Sequence, residues 1–276
     1  MLEALFKRKS PGTPIPKHDA TNRSLFGLAG QNVLLTGGGQ GLGKSNALAF
    51  AAHGANVAII DLNPASAQAT AAEIEQLGVK SMAIHGDVTS EANVSQAIDS
   101  IVDQWGRLDV LVNNAACAFI KPAEETTLEE FRWLFEVCVV GLFNCSRLAF
   151  GPMSRAGGGS IINMVSIAAM TVLSPLEHAC YNSAKAAVIQ LTKSLAVEWA
   201  PHNIRVNAIA PGFMATPPML AMRDGQPDLY RQLIGRVPMG RPGEPCELHG
   251  AAVFLASQAS SYMTGQVLTL DGGRMC

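Results

Sequence analysis

Tyr181 and Lys185 stand four residues apart in YNSAKAAVIQLTKSLAVEWA (181–200), a stretch with neither glycine nor proline. Alanine and leucine are frequent in it, so a helix is expected. Ala184, Val188, Leu191, Leu195 and Trp199 recur at spacings of three and four and should form one buried stripe. The same geometry puts the phenol and the ammonium side by side on the first turn. A free phenol has a pKa of about 10 and exchanges its proton poorly near neutrality. A neighbouring ammonium favours the phenolate and draws that pKa toward the working range. The pair therefore reads as an acid/base device, although Tyr and Lys at this spacing also occur on plain helix surfaces. The rest of the chain raises the chemical reading.

A second signal is a glycine-rich turn. The apolar run VLLT (33–36) leads into Gly37-Gly38-Gly39-Gln40-Gly41-Leu42-Gly43, and a helical stretch follows. Glycines admit a pyrophosphate close to the backbone, and a helix N-terminus offers it unpaired amides. The spacing is G-x-x-x-G-x-G rather than the more familiar G-x-G-x-x-G. Between a first strand and a first helix it points to a bound dinucleotide. The next apolar run, VAII (57–60), ends at Asp61. A carboxylate there accepts both ribose hydroxyls of an adenosine and repels a 2′-phosphate. Neither Gln40 nor Leu62 is basic, so NAD is expected over NADP.

Such groups need a sheet to hold them. Further continuous apolar runs are SMAIHG (81–86), VLVNNA (110–115), SIINMVS (160–166), IRVNAIAP (204–211) and VLTLDGG (267–273). Continuous rather than alternating runs suit parallel strands covered on both faces. Helical stretches lie between them at 45–53, 65–77 and 94–105. Strand and helix in alternation predict a doubly wound α/β sheet. No repeat or linker follows residue 30, so one domain is expected over 25–276, after an N-terminal arm of residues 1–24 with three prolines.

Composition narrows the function. Of 276 residues, 48% are hydrophobic and 15% charged, enough apolar material for a large core and for subunit contacts. The net charge is −2 and the only basic cluster is Lys7-Arg8-Lys9, which argues against nucleic acid. Six scattered cysteines without C-x-x-C pairs, and six dispersed histidines, carry no metal-ligand spacing. No apolar run approaches the roughly 18 residues of a bilayer span, and the N-terminus lacks a signal-peptide core. A cytoplasmic enzyme with no membrane partner is expected.

Four motifs in order, TGGGQGLG (36–43), NNAA (113–116), Ser166 with YNSAK (181–185), and PGFMAT (211–216), resemble the short-chain dehydrogenases/reductases. The resemblance runs from about residue 25 to the ending TGQVLTLDGG (264–273). It implies a Rossmann-like, seven-stranded parallel sheet and a nicotinamide cofactor. It also implies that Tyr181 is the general acid/base, that Lys185 assists it and holds the nicotinamide ribose, and that Ser166 hydrogen-bonds the reacting oxygen. Asp87 and Val88 would lie beside adenine, with Asn114 and Ala115 against the adenosine ribose. Pro211, Gly212, Met214 and Thr216 would line the nicotinamide side. Relatives commonly form tetramers through the helices at 128–154 and 181–200, so a homotetramer, or else a homodimer, is expected.

Three departures stand out. Cys138 occupies the place where many relatives carry an asparagine thought to support a proton relay; a thiol is a weak hydrogen-bonding group, so a tuned activity is expected. NNAA replaces the usual NNAG. Ser166 and Tyr181 are fifteen apart, where thirteen is commoner, and the extra residues fall in a loop that should shape specificity. Residues 214–240 read as a substrate lid, with Glu177 and His178 as possible contacts to substrate hydroxyls. That loop spacing and PMGRPGEP (238–245) resemble the sugar-alcohol and sugar-acid members, which implies a polyol or aldonate substrate. The alternatives are an NADPH-dependent reductase of carbonyls such as 3-oxoacyl thioesters and, further off, a cofactor-binding regulator without turnover.

Overall fold

The seven apolar runs pair as one parallel sheet in the computed structural model, which describes residues 25–276. They form β1 (Asn32–Thr36), β2 (Asn56–Asp61), β3 (Ser81–His85), β4 (Val110–Asn113), β5 (Gly159–Met164), β6 (Ile204–Pro211) and β7 (Val267–Leu270), in the order β3-β2-β1-β4-β5-β6-β7. The Rossmann-like sheet expected from the sequence is therefore present. Its order reverses between β1 and β4, and at such a switch point a crevice opens beyond the carboxyl ends of the strands. The proposed 1–24 arm lies outside the described residues.

Alternate residues of each strand feed opposite layers. Val33 and Leu35 of β1 join Phe50, Val57 and Ile59 on one face, beside α1 (Gly41–Ala52) and α9 (His249–Ala256). Leu34 joins Ile98, Leu111 and Met153 on the other, beside α3 (Glu91–Trp105) and α5 (Leu142–Arg155). Each such side chain, buried whole, stabilises the fold by about 1.5–3 kcal/mol. Local signals set the helix ends. Asn63 accepts the Ala65 and Ser66 N–H groups to start α2 (Pro64–Glu75), and Thr127 with Glu130 forms a capping box on α4 (Leu128–Phe135).

Residues 136–141 form a π turn that joins α4 to α5 with Cys138 inside it. By length and composition this helical span, 128–155, is apolar enough to cross a bilayer. Its Leu134, Cys138, Leu142, Cys145, Ala149 and Met153 are, however, buried against the rest of the domain.

The helix α6 (Ala179–Trp199) carries Tyr181 and Lys185. Of its expected stripe, Ala184, Val188 and Leu195 are buried, while Leu191 and Trp199 are half-buried. A chain of buried amides and hydroxyls fixes α6 to the sheet. Asn113 Nδ2 donates to Ser146 Oγ on α5 and to Asn163 Oδ1 on β5, each at 2.9 Å. Asn163 Nδ2 then donates to Thr192 Oγ1 of α6 at 2.9 Å. The interruption after β6 is a pair of short helices, α7 (Pro217–Gly225) and α8 (Pro227–Ile234).

Candidate active site

The turn after β1 is folded so tightly that several of its positions admit no side chain. Gly37 and Gly41 have φ of +66° and +55°, where a side chain strains. A Cβ on Gly43 would lie 2.1 Å from the Gly37 carbonyl oxygen, and one on Gly39 would lie 2.2 Å from Ser66 Oγ. Asn114 Nδ2 bridges the Thr36 and Gly37 carbonyls at 3.0 and 2.9 Å. Thr36 Oγ1 accepts the N–H groups of Asn114 and Ala115, both at 2.9 Å. The motif reading missed Thr36 as the post that ties β1 to β4, although it is the first letter of TGGGQGLG.

Asp61 sits at the rim of this turn. Its Oδ2 accepts the Gly39 N–H at 2.8 Å and its Oδ1 accepts the Asn63 N–H at 2.9 Å, so the carboxylate is aimed by two backbone donors. Leu62 is exposed beside it, Gln40 precedes α1, and the nearby Lys44 is paired with Glu73 at 2.7 Å. Beyond β3, Asp87 Oδ1 binds the Thr89 N–H and hydroxyl at 2.9 and 2.8 Å. Val88 is buried, and its Cγ2 approaches Gly141 so closely that a Cβ there would stand 2.7 Å away.

Ser166, Tyr181, Pro211, Gly212, Met214, Thr216 and Leu42 line one cavity of about 350 Å³ at the carboxyl ends of β5 and β6. Sequence positions from 42 to 216 are thus brought to a single space. Ser166 Oγ accepts the Ala168 N–H at 3.1 Å, which leaves its own proton to donate. Lys185 is buried at 3% exposure, and its Nζ donates to the Met164 carbonyl at 2.8 Å. That ammonium is 5.7 Å from the centre of the Tyr181 ring. His178 packs at 5.5 Å from the same ring, and burial lowers its pKa, so the imidazole is neutral at pH 7. Glu177 lies outside this lining; its side chain is exposed, and its carbonyl accepts the Lys121 N–H at 3.0 Å.

Cys138 belongs to a cluster with Cys117 and Cys180 beside Tyr181. With its proton on, Cys138 Sγ donates to the Cys117 carbonyl at 3.4 Å. A hydrogen bond from the Cys117 thiol, with Lys185 nearby, pulls the Cys138 pKa down to about 6 against the effect of burial. Cys117, sharing that bond as the partner that keeps its proton, is pushed far above the usual thiol range. Cys117 carried no sequence signal, because it lies outside the motif. Among the described residues no three His, Cys, Asp or Glu side chains group as a metal site.

A nicotinamide dinucleotide fits these residues, because Gly41, with open space at its Cβ position, heads α1 next to an aimed carboxylate and the Ser166–Tyr181 cavity. Comparison with known proteins agrees. The family model described as enoyl-(acyl carrier protein) reductase matches residues 37–274. A galactitol 2-dehydrogenase (L-tagatose-forming) from Cereibacter sphaeroides is 41% identical over 91% of this chain and 97% of its own length. A cyclopentanol dehydrogenase from Comamonas sp. is 39% identical over 87% of this chain and 95% of its own. The solved 7α-hydroxysteroid dehydrogenase, complexed with NADH and 7-oxo glycochenodeoxycholic acid, superposes with a TM-score of 0.86 at 35% identity, covering 91% of this chain and 97% of that one. The chain belongs to the short-chain dehydrogenase/reductase family, nicotinamide-dependent oxidoreductases acting on CH–OH groups.

Proposed function

We propose that this protein is an NAD-dependent secondary-alcohol dehydrogenase in which Tyr181 is the general acid/base. The observation that carries the reading is the shared cavity of Ser166 and Tyr181, backed by the buried Lys185 and adjoining the glycine turn. The cofactor, when bound, supplies the hydride acceptor. Tyr181 takes the hydroxyl proton, and Ser166 donates a hydrogen bond to the same oxygen as it becomes a carbonyl. Lys185, fixed by the Met164 carbonyl, stabilises the negative charge on the phenolic oxygen and holds the nicotinamide ribose. Gly37, Gly39, Gly41 and Gly43 shape the turn that receives the pyrophosphate at the N-terminus of α1, and Asp61 takes the adenosine ribose hydroxyls. Asp87 and Val88 flank the adenine, and Asn114 and Ala115 back its ribose. Pro211, Gly212, Met214 and Thr216 enclose the nicotinamide.

NAD over NADP is supported by charge. A 2′-phosphate at this rim meets Asp61, with the uncharged Gln40 and Leu62 in the same two loops and Lys44 already paired with Glu73. The reductase reading uses the same residues in reverse and needs NADPH, which this charge disfavours. The relatives support a secondary carbinol while differing in its body, a polyol in one and a ring in another. Exposed Trp133, Val140, Phe143 and Val197, on α4, the π turn, α5 and α6 in turn, support assembly into a homotetramer. The test of the catalytic assignment is Tyr181→Phe. Turnover should fall by about 10²–10⁴ with NAD affinity kept, as measured by kinetics and calorimetry. A variant that retains the wild-type rate removes the tyrosine from the mechanism.

A further inference from the structure

The lining of the cavity carries a statement about the substrate that the motifs do not. Among the described residues that line it there is no carboxylate, ammonium, guanidinium or side-chain amide. Its walls are Phe119 and Ile120 after β4, Leu173 and Leu176 after β5, Phe213 after β6, and Met222 on α7. Polar side chains are limited to Ser166 and Tyr181 at the reacting position, Thr216 beside them, and His178. The cations on the flanking segments are engaged elsewhere: Lys121 with Glu130 at 2.8 Å, Arg223 with Asp224 at 2.9 Å, Arg236 with the Ser174 carbonyl at 2.5 Å, and the buried Lys185 with the Met164 carbonyl at 2.8 Å. The cavity, about 350 Å³, is shared with the nicotinamide that Pro211, Gly212, Met214 and Thr216 enclose, so the space left to the substrate lies below the usual 300–1,000 Å³ range of small-molecule sites.

We propose that the alcohol oxidised here has a compact apolar body, an alicyclic secondary alcohol, and that Leu173, Leu176, Phe213 and Met222 select it against polyols and aldonates. The inference rests on the dehydrogenase reading above and deepens it. A polyol brings several hydroxyls to walls that, with Thr216 facing the nicotinamide, pair only one of them, through His178. Each hydroxyl left dry lowers affinity by roughly tenfold or more. An aldonate carboxylate fares worse, since no cation faces the space. A carbon ring instead removes apolar surface from water on both sides of the contact.

The experiment compares kcat/KM for cyclohexanol and cyclopentanol with that for galactitol, xylitol and gluconate, using purified full-length protein and NAD. The ring alcohols should be favoured by about 10² or more. Met222→Gln, on a half-buried position of the short α7, should raise KM for cyclohexanol about tenfold with kcat and NAD affinity little changed. Ile120→Gln, half exposed at the rim, is a second variant with the same expected direction if the first proves unstable. A polyol or aldonate turned over as well as the rings overturns this proposal and leaves the dehydrogenase standing. An unchanged cyclohexanol KM in both variants overturns the assignment of the walls. No turnover of any alcohol, with either nicotinamide dinucleotide, takes the dehydrogenase reading down as well.

Discussion

The two sides of the active-site crevice are built differently. The cofactor side is backbone: Gly37, Gly39 and Gly43 stand where a Cβ collides, and Thr36, Asn114 and Asp61 pin the turn with hydrogen bonds of 2.8–3.0 Å. The substrate side is side chain: Phe119, Leu173, Phe213 and Met222 face the cavity from four separate segments, and α7 buries none of its own residues. Backbone shape tolerates few sequences, so it writes a short motif. An apolar wall tolerates many, so it writes none. One side of the crevice therefore defines a chemistry and the other a clientele.

Changes on the cofactor side should have the larger and more specific effects. Asp61→Ser with Leu62→Arg exchanges a repelling carboxylate for a phosphate-binding fork, and should move the NADP-to-NAD ratio of kcat/KM upward by on the order of 10²-fold. Gly43→Ala forces its methyl toward the Gly37 carbonyl oxygen, and should raise the KM for NAD by about tenfold or more while the fold persists. If alanine there is neutral, the backbone account of the cofactor side is mistaken.

Away from both sides, the buried amide chain that docks α6 should matter for stability first. Asn163→Ala leaves Asn113 Nδ2 and Thr192 short of a partner, and should cost about 3 kcal/mol, or roughly 10 °C in Tm. A melting curve checks it. The smallest effect is expected at Cys138. Cys138→Asn should change the rate by less than about tenfold and shift its pH profile, since it replaces a thiol that ionises near 6 close to Lys185. An ultraviolet thiolate signal with its midpoint near pH 6 should vanish in Cys138→Ser. An unaltered rate and profile in Cys138→Asn removes this thiol from any relay.

Legibility in the sequence followed the same division. The seven strands were readable because each is a continuous apolar run, whereas the caps Asn63 and Thr127, which start α2 and α4, were not picked out. Ser166 and Tyr181 were readable as one group to the extent that both line one cavity, with Lys185 5.7 Å from the Tyr181 ring. Helical periodicity marked α6 but left Lys185 looking like a surface residue. Its burial depends on the Met164 carbonyl, twenty-one positions away on β5. Glu177 and His178 looked equivalent as neighbours, yet only His178 reaches the cavity, because the turn into α6 points the two side chains apart. Cys117 came beside Cys138 through the π turn, which no local pattern announces. Contacts made by loops from different strands become visible only when the strands are assembled.

The most direct measurement mixes the wild-type protein with NAD or NADP and a set of secondary alcohols, polyols and sugar acids included, and follows the reduced nicotinamide. The account predicts turnover with NAD at a kcat/KM at least about tenfold above that with NADP, given the carboxylate at the ribose position. A preference for NADP, or tight NAD binding with no turnover of any alcohol, contradicts it.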